Sequence, residues 1–381
     1  MKLKLLEIWG VQMGISKIIM IIMAAFFVLG ALDRLFGNKL GMGGEFERAF
    51  GLMGPTTLTV VGLICLAPVL APALQKVVAP VFNLFGADPA MLPGVLLSCD
   101  VGYHIGAEMS ADPQIALYGG LVVGSVMGFV ISFTIPVACG LIRKEDYRYF
   151  SGGVLMGYIF DPIACFVGGI CMGIKPIVVL INLIPVIVVA LVVIVGLLFA
   201  PEFTMKVFKW FAKLLLAIIT VGLCAAAVEA MTSFVVIKGM TPITQGWKTI
   251  GTIVLSLGGS LPLMHALRWA FSKPINKLSS KAGINDVAVF SIVLAFTSLV
   301  PGYSKFHEMN PRGKLYYAAF SASAGCMLAC HLGFTSSIDP NVVSPMLIAK
   351  VIAGVLAMAS VALLHKRIFK KEELEDLPVQ A

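Results

Sequence analysis

Apolar stretches long enough to cross a bilayer follow one another along the chain, separated by short polar junctions where the charges collect. A crossing helix needs about 20 apolar residues at 1.5 Å rise each. The pattern predicts crossings over residues 15–36 and 51–74, an amphipathic connector over 75–85, and then Gly86-Ala87-Asp88-Pro89, where Asp88 caps a helix begun by Pro89. Asp112-Pro113 repeats that signal and opens a helix over 114–142. Its Gly120, Gly124 and Gly128 recur every four residues, a spacing that lets a neighbouring backbone approach closely in the protein interior. Helices over 152–173 and 176–199 follow, and the second half offers 207–237, 249–271, the shorter 286–300, 315–334 and 345–364.

One polar frame interrupts the apolar pattern twice. Gly102-Tyr103 and Glu108-Met109 stand in the frame Gly-Tyr-x4-Glu-Met, and so do Gly302-Tyr303 and Glu308-Met309. Both copies follow an apolar segment and precede a long hydrophobic helix, which reads as a duplicated unit. The organisation predicted is a single integral membrane domain over 1–381, with one repeat over 15–175, a connecting helix over 176–199, a second repeat over 207–364 and a charged tail over 365–381. Transporters built from two related halves bind their substrate between broken helices near the bilayer midplane.

Composition sharpens the class. Of 381 residues, 59% are hydrophobic and 13% charged, with a mean hydropathy of +0.97, against a charged share of about 25% in soluble domains. The fold class is therefore all-α: a polytopic membrane protein of ten or eleven transmembrane or re-entrant helices, according to how 286–300 is counted. The first apolar run has no cleavage site placed to end it and reads as a retained helix. The net charge of +8 is spread among the junctions, which suits cytoplasmic loops and not nucleic-acid binding. The basic stretches at 143–148, 206–213 and 268–281 all become cytoplasmic if the amino terminus is cytoplasmic and the segment before Asp100 crosses. The eight cysteines sit mostly inside apolar segments and lack the spacing of a disulfide framework.

Ionisable side chains at membrane depth cost a few kcal/mol each and mark functional sites. Those picked out are Asp100, His104, Glu108, Asp161, Glu229, His265, Glu308 and His331. Asp88, Asp112 and Asp339 all precede proline, and capping explains them. Cys326 and Cys330, four apart with His331 adjacent, leave open an intramembrane metal carrier or metal-dependent enzyme. No Gly-x-Ser-x-Gly elbow or phosphate loop accompanies them.

Several motifs in order, Gly86-Ala87-Asp88-Pro89-Ala90-Met91, Leu96-Leu97-Ser98-Cys99-Asp100, Phe133-Thr134-Ile135-Pro136-Val137-Ala138, Met309-x2-Arg312-Gly313-Lys314 and His331-Leu332-Gly333-Phe334, resemble the ethanolamine-utilisation permease (EutH) family over nearly the whole chain. The resemblance implies a multi-pass protein of the bacterial cytoplasmic membrane that admits ethanolamine or a close small amine, with the lipid bilayer and a cationic amine as its partners, a homo-oligomer as an option, no cofactor and no catalysis. Asp100, with Glu108 or Glu308, then faces the ammonium. Tyr103 and Tyr303 offer ring faces and hydroxyls, and His104, Asp161, Ser298 and His331 complete the expected site. The chain departs from the family pattern in two places. Thr297-Ser298-Leu299-Val300-Pro301 replaces an Ala-Asn-Asn-Ile-Pro run, and Ala329-Cys330-His331 replaces Gly-Asp-His. Asp161 stands where an uncharged residue is expected, so it is either a compensating charge opposite His331 or a cap on the helix begun by Pro162.

Overall fold

The computed structural model describes residues 2–368 and, within them, the side-chain surroundings of 16–267, 269–270 and 283–365. Most of the tail expected over 365–381 lies outside the described residues. Helix α1 (Lys2–Leu35) leads through α2 (Met42–Gly51) into α3 (Met53–Leu84). Pro68, Pro72 and Pro80 all lie inside α3, so the connector expected over 75–85 is instead the last part of one long helix. Proline is tolerated there because neighbouring helices satisfy the backbone groups it frees.

The chain then does something the apolar pattern did not predict. Helix α4 (Met91–Leu96) gives way to extended backbone at Leu97 and Ser98, and α5 (Cys99–Met109) runs back alongside it. Gly102 lies on the Pro93 carbonyl and Gly106 on that of Ala90, while Ser110 Oγ donates to Asp88 Oδ2 at 2.7 Å. The segment before Asp100 therefore does not cross, against the expectation; it is one arm of a hairpin whose two feet meet.

Asp112 caps the next helix, its Oδ1 accepting from Gln114 N at 2.8 Å. That helix begins as α6 (Pro113–Leu117), passes through π-helical turns over Tyr118–Gly128 and Val130–Thr134, and ends as α7 (Ile135–Leu141), with a bend of 44°. Its glycines let a neighbouring backbone approach closely in the interior, as predicted, and that backbone is the hairpin's. A Cβ on Gly120 would lie 2.8 Å from Tyr103 Cα, one on Gly124 would lie 3.1 Å from Cys99 Cα, and one on Gly128 would run into the Leu97 carbonyl. The π-turns, a form that recurs at functional sites, put the bend beside the hairpin tip.

Helices α8 (Tyr147–Tyr158), α9 (Asp161–Cys171), α10 (Pro176–Phe199), α11 (Pro201–Thr232) and α12 (Ile243–Ala282) follow. A second hairpin is formed by α13 (Asp286–Ala295) and α14 (Val300–Ser304). Its feet are tied by Asn285 Nδ2 donating to the Glu308 carbonyl at 2.8 Å and Asn310 Nδ2 to that of Gly283 at 2.9 Å. Helices α15 (Pro311–Ala324) and α16 (Cys330–Ile338) are separated by a non-helical break, and α17 (Val343–Ile368) closes the described chain. The break runs beside the second hairpin's tip: Cys326 N donates to the Ala295 carbonyl at 2.7 Å and Leu328 N to that of Phe296 at 3.0 Å.

Seven of these units are long and apolar enough to cross a membrane, and the bent α6–α7 pair makes an eighth. Adding the two hairpins and the broken α15–α16 unit gives eleven apolar units, but the hairpins do not cross, whereas the count of eleven read from the sequence took 286–300 as a crossing. Many apolar side chains of α10 and α11, among them Leu191, Val192, Val195 and Leu216, face outward as a lipid-facing surface must.

Hydrogen bonds and contacts between elements sort the connections to two ends of the bundle. Ser16 with Ser344, Gln75 with Met109, Asp88 with Asn182 and Gln114 with Met172 gather at one end, which holds the feet of the first hairpin. Asp146 with Lys314, Cys139 with Met205 and Gly283 with Arg312 gather at the other, which holds the feet of the second. The two hairpins thus enter from opposite ends.

Candidate functional site

The tips of the two hairpins approach each other through Phe129 and Gly325. Phe129 follows Gly128, on which the first tip rests, and a Cβ on Gly325 would touch both Leu299 of the second tip, at 2.8 Å, and Phe129, at 3.3 Å. Asp100 is the second residue of α5, so its carboxylate sits at a helix amino terminus, where freed N–H groups favour negative charge. It lines a cavity of about 170 Å³ together with Ser98, Phe129, Ser132, Phe133 and Cys330. One oxygen, Oδ1, is buried with no hydrogen-bond partner. The Phe129 and Phe133 rings stack at 5.0 Å across part of the wall. Ser132 fixes the tip by accepting from Ser98 N at 2.8 Å.

Behind Phe129 lies a second polar cluster. His331 and Asp161 are both 0% exposed, and neither ring nitrogen of His331 nor either oxygen of Asp161 has a hydrogen-bond partner. Ser323, whose hydroxyl is likewise unpaired, stands next to Asp161, and Tyr158 OH is within its electrostatic reach. The cap reading of Asp161 is overturned: α9 starts at Asp161 with no side-chain cap, and its carboxylate takes none of the amides freed at the break. Lys350 joins the cluster from α17, and both Asp161 and His331 feel its charge. Sequence reasoning missed it. The signal that could have found it is a lone lysine inside the apolar stretch Met346-Leu347-Ile348-Ala349-Lys350-Val351-Ile352.

The other expected residues are scattered. Tyr103 and His104 are half-buried on α5, their rings 6.3 and 5.8 Å from that of Phe334, and His104 Nε2 is unpaired. Ser298 is half-buried at the second tip, its N–H bonded to the Leu294 carbonyl. Tyr303 is fully buried among Phe150, Phe306 and Tyr317, with its hydroxyl 2.6 Å from Ser321 Oγ, so it is packed and satisfied. Glu108 and Glu308 are exposed, each near the foot of its own hairpin and so at opposite ends of the bundle.

The metal alternative is withdrawn. No group of three or more metal-ligating side chains occurs among the described residues. Cys326 lies in the break with φ 56° and Cys330 opens α16, so the helical turn that was to align them does not exist, and the His331 ring meets Phe129 instead.

Comparison with known proteins decides the family. Residues 15–364 match the family described as "Ethanolamine utilisation protein, EutH". The chain belongs to the EutH family. It is 39% identical over 365 residues to the "Probable ethanolamine permease EutH" of Listeria monocytogenes, covering 96% of this chain and 98% of that one. The Escherichia coli protein of the same name is 37% identical, covering 91% and 94%. The "Uncharacterized protein YxeR" of Bacillus subtilis is 36% identical, covering 92% and 95%. No solved structure matches. With its apolar helices, EutH membership makes this a multi-pass membrane protein of a permease family.

Proposed function

We propose that the chain is a permease for ethanolamine or a closely related small amine, set in the bacterial cytoplasmic membrane. The observation that carries this reading is Asp100, one of whose carboxylate oxygens has no hydrogen-bond partner, in the lining of a small cavity that also holds two stacked aromatic rings. A carboxylate and ring faces are the partners an ammonium group prefers, and the Ser98 hydroxyl on the same wall suits an alcohol. An amine with a pKa near that of lysine, about 10, is almost wholly cationic at neutral pH. The names of the relatives support the same substrate.

The sidedness follows from charge. Arg143, Lys144, Lys206, Lys209, Arg312 and Lys314 belong to the end that holds the second hairpin's feet, and the positive-inside rule assigns that end to the cytoplasm. The amino terminus then lies outside, the first hairpin opens outward and the second inward. This agrees with two inverted halves, because Gly102 and Gly302, and Met109 and Met309, two hundred residues apart, hold matching places in hairpins of opposite direction.

Uptake of labelled ethanolamine into proteoliposomes tests the reading. Wild-type protein should accumulate it and Asp100→Asn should lower the rate at least tenfold. Equal uptake by the two proteins would refute the role of Asp100, and no uptake by the wild type would refute the substrate.

A further inference from the structure

Lys350 is among the largest fully buried side chains of the molecule, and among the described residues no carboxylate bonds it. Its Nζ donates to the Gly325 carbonyl at 2.7 Å and lies 5.2 Å from the centre of the Phe129 ring. That carbonyl is available because the chain leaves the helical conformation at Gly325, with φ −56° and ψ 147°. Asp161 lies within electrostatic reach, with both oxygens unpaired. A buried carboxylate is costly unless a cation or donors answer it, yet Lys350, whose charge it feels, is turned to a carbonyl.

We propose that Asp161 is an inner subsite for a primary ammonium ion and that Lys350 is the tethered ammonium that closes it between transport events. The side chain of lysine ends in the same group as the amine: three N–H donors on one positive nitrogen. Whatever binds one at Asp161 binds the other, and two such cations on one carboxylate repel, so occupancy is exclusive. The bond to Gly325 is the parked position, and it also steadies the break between α15 and α16. Phe129 separates the two subsites. One part of its ring lines the Asp100 cavity, while Lys350 and His331 meet the same ring from the buried cluster. An amine moving inward from Asp100 therefore passes Phe129 and takes the place that Lys350 would otherwise fill. The unpaired Ser323 and Tyr158 hydroxyls and the His331 ring stand ready for the alcohol of an amino alcohol. This inference rests on the amine-permease reading and adds a second subsite and its gatekeeper to it.

The test uses the full-length protein, with ethylammonium and ethanolamine as probes and ethanol and choline as controls that lack the N–H cation. Lys350→Ala removes the competitor, so both probes should bind at least tenfold more tightly than to the wild type and raise its melting temperature, while uptake of ethanolamine falls at least tenfold. The controls should do neither. Unchanged or weaker probe affinity overturns the proposal. Asp161→Asn combined with Lys350→Met decides the case in which Lys350→Ala yields no folded protein. The double variant should melt close to the wild type and Asp161→Asn alone well below it, and a double variant no more stable than the single overturns the pairing. Absence of ethanolamine uptake by the wild type would strike the permease reading, whereas the affinity comparison strikes only the inner subsite.

Discussion

The rings of Phe129 and His331 meet edge to face, with centroids 4.4 Å apart and planes at 87°. Phe129 is a residue through which the cavity at Asp100 and the buried cluster at Asp161 touch. Replacing it with leucine keeps the bulk and removes the ring face. A cation–π contact out of water is worth about 2 kcal/mol, so Phe129→Leu should weaken ethanolamine half-saturation by roughly tenfold or more, and Phe129→Tyr by much less. A half-saturation unchanged in Phe129→Leu would remove the ring from the amine's path.

The seat of the first hairpin should be intolerant of any side chain. A Cβ at Gly128 would run into the Leu97 carbonyl, so something in the tip must shift. Overpacking of this kind costs typically 1–3 kcal/mol. Gly128→Ala is expected to lower the melting temperature and Gly124→Leu to prevent assembly, read as yield of monodisperse protein. A normal melting curve for Gly128→Ala would mean that the hairpin is not held in this groove.

Sidedness can be read at Glu108 and Glu308. Both Glu108 and Glu308 are exposed near hairpin feet. In a background with Cys224 replaced by serine, a cysteine at Glu108 should react with a membrane-impermeant maleimide on intact cells, and one at Glu308 should react only after lysis. The reverse order would turn the molecule over, and labelling of both from outside would mean that the hairpins share one face.

At the basic end, Lys314 Nζ and Asp146 Oδ1 are 2.6 Å apart and both side chains are nearly buried, tying α15 to the turn before α8. Removing one partner of such a pair costs about 3–5 kcal/mol, while replacing both by apolar groups is close to neutral. Lys314→Ala should be strongly destabilised in thermal unfolding and Lys314→Met with Asp146→Leu much less so. Equal losses would make the pair incidental.

What could be read in the sequence was what depends on neighbouring residues. Asp88, Asp112 and Asp339 each accept the N–H two residues on, at 2.8, 2.8 and 2.9 Å, as the aspartate–proline pairs imply. The glycine face over 120–128 packs as its spacing requires. The hairpin tips were hidden because Met91 to Leu97 stays apolar up to the turn, and Leu97 and Ser98, where the backbone becomes extended, are neither glycine nor proline. The spacing of Cys326 and Cys330 misled for a related reason. A four-residue interval has helical meaning only inside a helix, and Gly325 ends one. Asp161 and His331 were picked out individually, but Lys350, which both of them feel, came from a third helix and was passed over.

Each hairpin is followed within a few residues by the helix that covers it: the first by the segment that starts at Pro113, the second by α15 at Pro311. During synthesis, then, each tip leaves the ribosome before its seat exists. Non-helical backbone is tolerated at membrane depth only where protein surrounds it, so neither hairpin can settle in lipid alone. Each hairpin is therefore expected to enter the membrane together with the helix that follows it, and a connector as short as Ser110-Ala111-Asp112 keeps the two close along the chain.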